Sequence, residues 1–224
     1  MWSTTRGEKE LLSATVRAID APRVLEIGAF RGETTCVLAE AAAARGGYVV
    51  VIDPMRWTAE VSNNGLARHL PEALASRVRS LSSWLDRASY EHAFWRALGP
   101  RGSSVRLHRA LSTAPELLTS AHPDLGEFDV VFIDGDHGHA GAWNDLSRWA
   151  TRTVRGGAIL VHDAVPRFPG VLRALEDFQR AHDVVVDLPN EDSLAFIRVR
   201  RAFAGEPALG SALAGARTAG AWLE

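Results

Sequence analysis

Acidic and histidine residues follow two apolar runs near the middle of the chain. Phe128–Ile133 ends in Asp134, with His137 three residues further on, and a second apolar run ends in His162 and Asp163. Neighbouring parallel strands lie about 4.8 Å apart and end at the same edge of a sheet, so Asp134 and Asp163 are expected to lie close together. Such a pair can share a cation, and His137 as a neutral imidazole can accept a proton near pH 7.

Other polar residues near this stretch are weaker candidates for a catalytic role. His139 is the alternative base, although a surface or capping role fits it better, and Asp136 is expected either to orient His137 or to be solvated. His108 is expected to be a packed, hydrogen-bonded residue. The remaining histidines have no partner pattern and are expected at the surface: His69, His92, His122 and His182.

A glycine loop follows the first predicted strand, Arg23–Ile27. Its spacing is E-x-G-x-x-x-G, from Glu26 through Gly28 to Gly32. Gly28 lets the chain turn sharply, and Gly32 lets the next helix approach a ligand. The N-terminus of that helix favours an anionic group, a phosphate or a carboxylate. Phe30 stands where the dinucleotide fingerprint G-x-G-x-x-G would require its middle glycine.

Asp53 ends the second predicted strand, Tyr48–Ile52, 21 residues after Gly32. This position suits hydrogen bonds to a ribose diol. The glycine loop and Asp53 together indicate an adenosine-containing cofactor.

The elements that would position these residues alternate regularly. Val105–His108 is predicted as the third strand and Ala158–Val161 as the fifth, each separated from its neighbours by a helix. Residues 183–189 and 193–200 are predicted to form a closing antiparallel pair. The fold class is therefore α/β, a doubly wound, mainly parallel sheet.

All 224 residues are expected to form one domain. It would comprise an N-terminal helix (1–20), a helical insertion on the substrate side (55–104) and a C-terminal tail (201–224). The tail and the first helix are candidate contacts of a homo-oligomer. A net charge of −2 implies no nucleic-acid surface, and Cys36 alone forms no internal disulfide. No signal peptide or membrane-spanning run is recognised, so we expect a cytoplasmic protein.

The motifs, taken in order from Arg23 to about Arg200, resemble the class I S-adenosylmethionine-dependent methyltransferases. They are VLEIGAFRGETT, VVVIDP, the Ala110-Leu111-Ser112 turn, FDVVFIDGDH, GGAILVHDA and SLAFIRV. The combination of IDGDH with GG-x-I-L-x-HD is similar to the small-molecule O-methyltransferases, the group that includes macrolide-sugar methyltransferases. The resemblance implies a seven-stranded sheet with its last strand antiparallel. It also implies S-adenosylmethionine across the ends of the first, second and fourth strands.

The resemblance also implies a set of cofactor-binding residues. Glu26 and Gly28 would lie near the methionine part, Asp53 at the ribose, and Leu111 and Ser112 beside the adenine. The remaining members of the set are the loop residues Ala29 and Phe30, the hydroxyls of Thr34 and Thr35, and Asp134 at the cofactor's border.

Methyl transfer to an alcohol requires a positioned oxygen and removal of its proton. A divalent metal (Mg, Mn or another) held by Asp134, His162 and Asp163 would orient the oxygen and lower its pKa, with His137 as general base. Related metal-dependent enzymes have two acids where this chain has His162-Asp163. Imidazole favours Mn²⁺, Fe²⁺ or Zn²⁺ over Mg²⁺, and the His162 side chain could instead turn into the body.

The expected reaction is methylation of a hydroxyl of a small natural product or sugar. One alternative is metal-independent transfer in the same fold, resting on His137 and proximity. Two others are a nucleotide-cofactor redox enzyme, which the missing G-x-G-x-x-G disfavours, and a non-catalytic assembly subunit, which the intact Asp134, His137 and Asp163 disfavour.

Overall fold

A seven-stranded sheet forms the centre of the protein. The computed structural model describes residues 4–55, 89–118, 122–188, 193–201 and 203. The strand order is β3-β2-β1-β4-β5-β7-β6, with β1 to β5 parallel and β7 antiparallel to both β5 and β6. The predicted doubly wound, mainly parallel fold is therefore confirmed. The strands are β1 (Arg23–Ile27), β2 (Tyr48–Ile52), β3 (Val105–His108), β4 (Phe128–Ile133), β5 (Thr153–Val161), β6 (Val186–Asp187) and β7 (Ala195–Arg198).

Helices cover both faces of the sheet. They are α1 (Arg6–Arg17), α2 (Glu33–Ala43), α3 (residues 89–98), α4 (His139–Arg148) and α5 (Pro169–His182). The first three pack on one face and the last two on the other, and each group has its own apolar core. Because both faces are covered, all six residues of β4 are buried. Because β1, β4 and β5 are neighbouring parallel strands, the glycine loop, Asp134 and His162 meet at one edge of the sheet.

The fifth strand is longer than the sequence predicted. It begins at Thr153, with Gly156 and Gly157 inside it, and the pairing with β4 shifts between Phe128 and Val130. Gly156 has a φ of +88°, and a Cβ on Gly157 would lie 2.5 Å from the Asp129 carbonyl oxygen. The two glycines therefore form an irregularity within the strand, whereas the predicted strand began after them, at Ala158.

Parts of three predicted segments lie outside the described residues. These parts are 56–88 of the helical insertion, 119–120 of a helix that the sequence predicts over Pro115–Ser120, and most of the tail after residue 201. Pro115–Leu118 is a short 3-10 helix. At the start of the tail, Phe203 packs against Phe178 and His182. No helix within the described ranges has both the length and the apolar character needed to cross a membrane.

Candidate active site at the carboxyl edge of the sheet

Backbone crowding fixes the glycine loop. Gly28 turns off β1 with a φ of +82°, and its N–H donates to the Ile52 carbonyl oxygen at 3.0 Å. A Cβ at this position would lie 2.1 Å from the Asp134 carbonyl oxygen, so only glycine fits. Phe30 also has a left-handed φ of +48°. A glycine, the residue that the G-x-G-x-x-G fingerprint has at this position, would adopt that conformation without strain.

Asp53 shapes this loop directly. Its Oδ2 accepts hydrogen bonds from the Ala29 and Phe30 amides at 2.8 and 3.2 Å, and its Oδ1 accepts one from the Met55 amide at 2.6 Å. Burial raises the pKa of Asp53, and these amide bonds oppose that shift. A carboxylate offers about four acceptor positions, so capacity remains for a ribose hydroxyl. The sequence suggested only the ribose role.

Glu26 is completely buried at the end of β1. Neither carboxyl oxygen makes a hydrogen bond of normal geometry within the described part of the chain. Burial raises the pKa of Glu26 to about 8; the charges of Asp134 and Asp53 act in the same direction, and the Thr35 hydroxyl opposes them. Three carboxyl groups thus crowd the ends of β1, β2 and β4. Such a site favours a cationic ligand over a phosphate.

The N-terminus of α2 adds the opposite polarity. Gly32 is the N-cap, with a φ of +82° and no side-chain cap among the described contacts. The N-terminus of a helix favours an anionic group. The Thr34 and Thr35 side chains are buried here, and the Thr34 Oγ1 lies 2.7 Å from the Thr4 Oγ1. A carboxyl cluster beside a helix N-terminus suits a ligand with both an ammonium and a carboxylate group.

The predicted adenine side is more open. Leu111 is 51% exposed, and the Ser112 carbonyl oxygen accepts a hydrogen bond from the Trp149 Nε1 at 3.0 Å. Beside them lies Asp145 of α4, whose pKa burial raises to about 6 although a hydrogen bond with the Ser112 side chain lowers it. The sequence gave no sign of Asp145, because a single acid within a helix has no motif.

His137 and Asp163 form an ion pair at the ends of β4 and β5. The His137 Nε2 lies 2.7 Å from the Asp163 Oδ2. This contact raises the pKa of His137, and burial works against the shift. The imidazole also stacks on Phe168, with ring centroids 4.5 Å apart. The contact with Asp163 uses Nε2, so Nδ1 is the ring nitrogen outside this pair.

The neighbouring polar residues have other tasks. Asp136 accepts a hydrogen bond from the Gly138 amide at 2.7 Å and so fixes the turn before α4. His139 lies 2.8 Å from the Asp177 Oδ2 of α5. Asp163 is therefore the residue placed to orient His137, a role that the sequence offered as one of two alternatives for Asp136. His139 instead pairs with Asp177 on α5.

His162 and Asp163 both face the site although they are consecutive. The strand ends at Val161, and Asp163 has a left-handed φ of +59°, which ends the alternation of side chains. The His162 Nδ1 lies 3.2 Å from the Asp134 Oδ1 and 3.4 Å from the Asp163 Oδ2. His162 is thus buried, as one sequence interpretation had it, and still points at the carboxylates.

These residues also fit a cation. One donor atom each from Asp134, His162 and Asp163 lie within 4.8 Å of one another. The His162 Nδ1 and the Asp163 Oδ1 are buried without a hydrogen-bond partner in the described structure. Burial opposes the charge on His162, but the carboxylates of Asp134, Asp163 and Glu8 outweigh it and raise its pKa far above the ordinary value. A metal ion here must displace that proton.

Glu8 connects helix α1 to this edge. Its Oε2 lies 3.4 Å from the His162 Nε2, and its Oε1 accepts hydrogen bonds from the Ser193 amide and hydroxyl at 2.8 and 2.7 Å. Glu8 also completes a capping box with Thr5. The pattern T-x-x-E signals a helix start in the sequence. The contact with a histidine 154 residues away has no sequence signal.

Comparison with known proteins identifies relatives of this architecture. Residues 25–164 match a family model described as a methyltransferase domain. A catechol O-methyltransferase of Mycobacterium tuberculosis (strain ATCC 25618 / H37Rv) is 34% identical over 160 residues, which are 71% of this chain and 56% of that protein. This chain thus spans little more than half the length of that relative.

Two solved structures illustrate the shared fold. The O-methyltransferase TomG from Streptomyces achromogenes, in complex with SAM, has a TM-score of 0.55 at 20% identity, covering 88% of this chain and 81% of TomG. An O-methyltransferase from Bacillus cereus, in complex with SAH, has a TM-score of 0.54 at 17% identity, covering 88% and 82%. At these identities the likeness establishes the fold.

Substitution of Glu26 separates ligand binding from stability. We expect Glu26→Gln to weaken binding of S-adenosylmethionine by about 10- to 100-fold, because a buried charged hydrogen bond is lost. Isothermal titration calorimetry measures this change. Stability should move the other way: a carboxyl held protonated up to a pKa of about 8 destabilises the fold increasingly as pH rises from about 4.3 to 8. The variant should therefore melt higher than wild type in that window, and unchanged affinity would remove Glu26 from the ligand site.

Glu8 offers a test of the tie between α1 and the site. We expect Glu8→Ala to lower the free energy of unfolding by about 3 kcal/mol, because it leaves His162 buried with one partner fewer. Chemical denaturation measures the loss. Glu10→Ala is the matched control, since Glu10 pairs with Arg6 in an exposed i,i+4 bridge that water screens and that contributes little to stability. Equal effects of the two variants would contradict the buried link.

Proposed function

The chain belongs to the methyltransferase-domain family, as its motifs predicted, and we propose that it transfers the methyl group of S-adenosylmethionine to a hydroxyl oxygen of a small natural product. The observation that carries this proposal is the carboxyl cluster of Glu26, Asp53 and Asp134 around Gly28. S-adenosylmethionine has a sulfonium and an ammonium group, and its carboxylate suits the uncapped N-terminus of α2.

The same cluster argues against a dinucleotide. A pyrophosphate is an anion and would meet buried carboxyl groups where dinucleotide enzymes present glycine amides. In this chain the Ala29 and Phe30 amides already donate to Asp53. A nucleotide-cofactor redox function is accordingly disfavoured on charge as well as on motif.

His137 is the residue we assign as general base. Asp163 holds its Nε2, so Nδ1 is the acceptor for the hydroxyl proton, and the contact with Asp163 stabilises the imidazolium that results. The His137 side chain is 45% exposed and can reach a bound substrate, whereas Asp163 is 5% exposed and fixed. Phe168 supports the other face of the ring.

Asp134, His162 and Asp163 would hold a divalent metal ion. When bound, such an ion supplies Lewis acidity that lowers the pKa of a coordinated hydroxyl. The nitrogen donor favours Mn²⁺, Fe²⁺ or Zn²⁺ over Mg²⁺. In its absence the protonated His162 balances Asp134 and Asp163 and keeps both carboxylates in place.

For the acceptor we propose a small hydroxylated natural product. TomG is involved in tomaymycin synthesis, and the mycobacterial relative is a catechol O-methyltransferase. Catechols and hydroxylated natural products are therefore the acceptor panel to assay, with methyl transfer from S-adenosylmethionine as the readout. An absence of S-adenosylhomocysteine binding would contradict the methyltransferase proposal.

The base assignment predicts a specific kinetic pattern. We expect His137→Ala to lower turnover by about 100-fold or more with unchanged affinity for S-adenosylhomocysteine, as loss of a general base should. His139→Ala is the matched control and should keep wild-type turnover, because His139 pairs with Asp177 on α5. Equal turnover of wild type and His137→Ala would place the base elsewhere.

Metal removal tests whether methyl transfer depends on a divalent ion. We expect a chelator to lower turnover by at least about 10-fold and Mn²⁺ to restore it, while cofactor affinity stays constant. Turnover before and after dialysis, with added Mn²⁺ or Mg²⁺, measures the effect. Turnover that is indifferent to the chelator would mean that the protonated His162 alone organises the site.

A further inference from the structure

A second cluster of metal-ligand side chains lies away from the acceptor edge. The His108 Nε2 lies 2.9 Å from the Asp124 Oδ2, and the His122 ring meets the His108 ring edge-on, with centroids 5.0 Å apart. One donor atom from each of the three residues lies within 4.8 Å of the others. The sequence placed His122 at the surface without a partner pattern. The folded chain brings it together with His108 and Asp124.

The cluster is separate from the methyl-transfer machinery. His108 is the last residue of β3, the edge strand of the sheet. Strands β2 and β1 lie between β3 and β4, so three strand spacings, roughly 14 Å, separate it from the end of β4. None of the residues assigned to the cofactor, the base or the acceptor edge belongs to it.

The fold holds these three side chains in place. His122 and Asp124 come from the loop before β4, whose Leu125 is buried in the core and donates its amide to the His122 carbonyl oxygen at 3.0 Å. The side chains of His108 and Asp124 are each 14% exposed. They are shielded enough to be fixed, and still open on one side.

We propose that His108, His122 and Asp124 bind a divalent transition-metal ion, with Zn²⁺ the best match. Two imidazoles and a carboxylate are zinc ligands, and tetrahedral coordination at bonds of about 2.0–2.1 Å separates ligand atoms by about 3.3 Å. The 2.9 Å contact and the 4.8 Å limit bracket that separation, so small side-chain movements complete the site. Two nitrogen donors exclude a preference for Mg²⁺ or Ca²⁺.

The ion would have a structural effect. It would join the loop before β4 to the end of β3, and the chain continues from β3 directly into Ala110-Leu111-Ser112 on the predicted adenine side. Binding to the folded state alone should raise the melting temperature by about 5–10 °C at a Zn²⁺ concentration 100 times the Kd.

Calorimetric titration of Zn²⁺ into the chelator-treated full chain tests the proposal. Asp134→Asn provides the background, because it weakens any Zn²⁺ binding at the acceptor edge. On that background we expect one Zn²⁺ per chain. Adding His122→Ala should weaken this binding by more than 100-fold, beyond the 10- to 100-fold that loss of an outer-shell partner costs. His92→Ala, an exposed histidine of α3, is the matched control and should change nothing.

A folding check and a competition with Mg²⁺ complete the experiment. Far-UV circular dichroism checks the fold, and His122→Gln replaces His122→Ala if the alanine variant does not fold. Mg²⁺ at the same concentration should fail to displace Zn²⁺. The proposal is overturned if the Asp134→Asn protein binds no Zn²⁺, if removal of the His122 imidazole leaves Zn²⁺ affinity unchanged, or if Mg²⁺ competes equally.

Discussion

Burial of carboxyl groups close together at one edge of the sheet is the constraint on which the site depends. Strands β1, β2, β4 and β5 end in or next to Glu26, Asp53, Asp134 and Asp163. Each is stabilised differently: Glu26 keeps its proton, Asp53 accepts three amide hydrogen bonds, Asp163 pairs with His137, and Asp134 faces His162. Burial of Glu26 and Asp53 destabilises the fold, and binding of a cationic ligand would offset that cost.

Helix α1 is part of this balance. Glu8 places a third carboxylate against His162, so the protonated imidazole neutralises charge from α1 as well as from β4 and β5. Thr4, just before the helix, reaches Thr34 behind the glycine loop. The N-terminal segment therefore contacts both the start of α2 and His162 at the acidic edge.

The sequence predicts the frame of this site well and its contacts less well. Strands β1 to β4 have the predicted bounds. For β1, β2 and β4 the reason is that apolar runs buried on both faces leave little freedom of assignment. The predicted grouping of Asp134 and Asp163 follows from the parallel sheet. The sequence could not predict the left-handed turn at Asp163, which brings His162 and Asp163 to the same side. It also could not predict Glu8, since long-range pairing of a buried charge leaves no periodic signal.

Proton release on cofactor binding tests the central claim most directly. If the ammonium and sulfonium groups of S-adenosylmethionine neutralise the carboxyl cluster, Glu26 must lose its proton on binding at pH 7. Titration calorimetry in two buffers of different ionisation enthalpy counts the protons released. We expect close to one proton per cofactor for wild type and none for Glu26→Gln. Tight binding by wild type without proton release would contradict this account of the site.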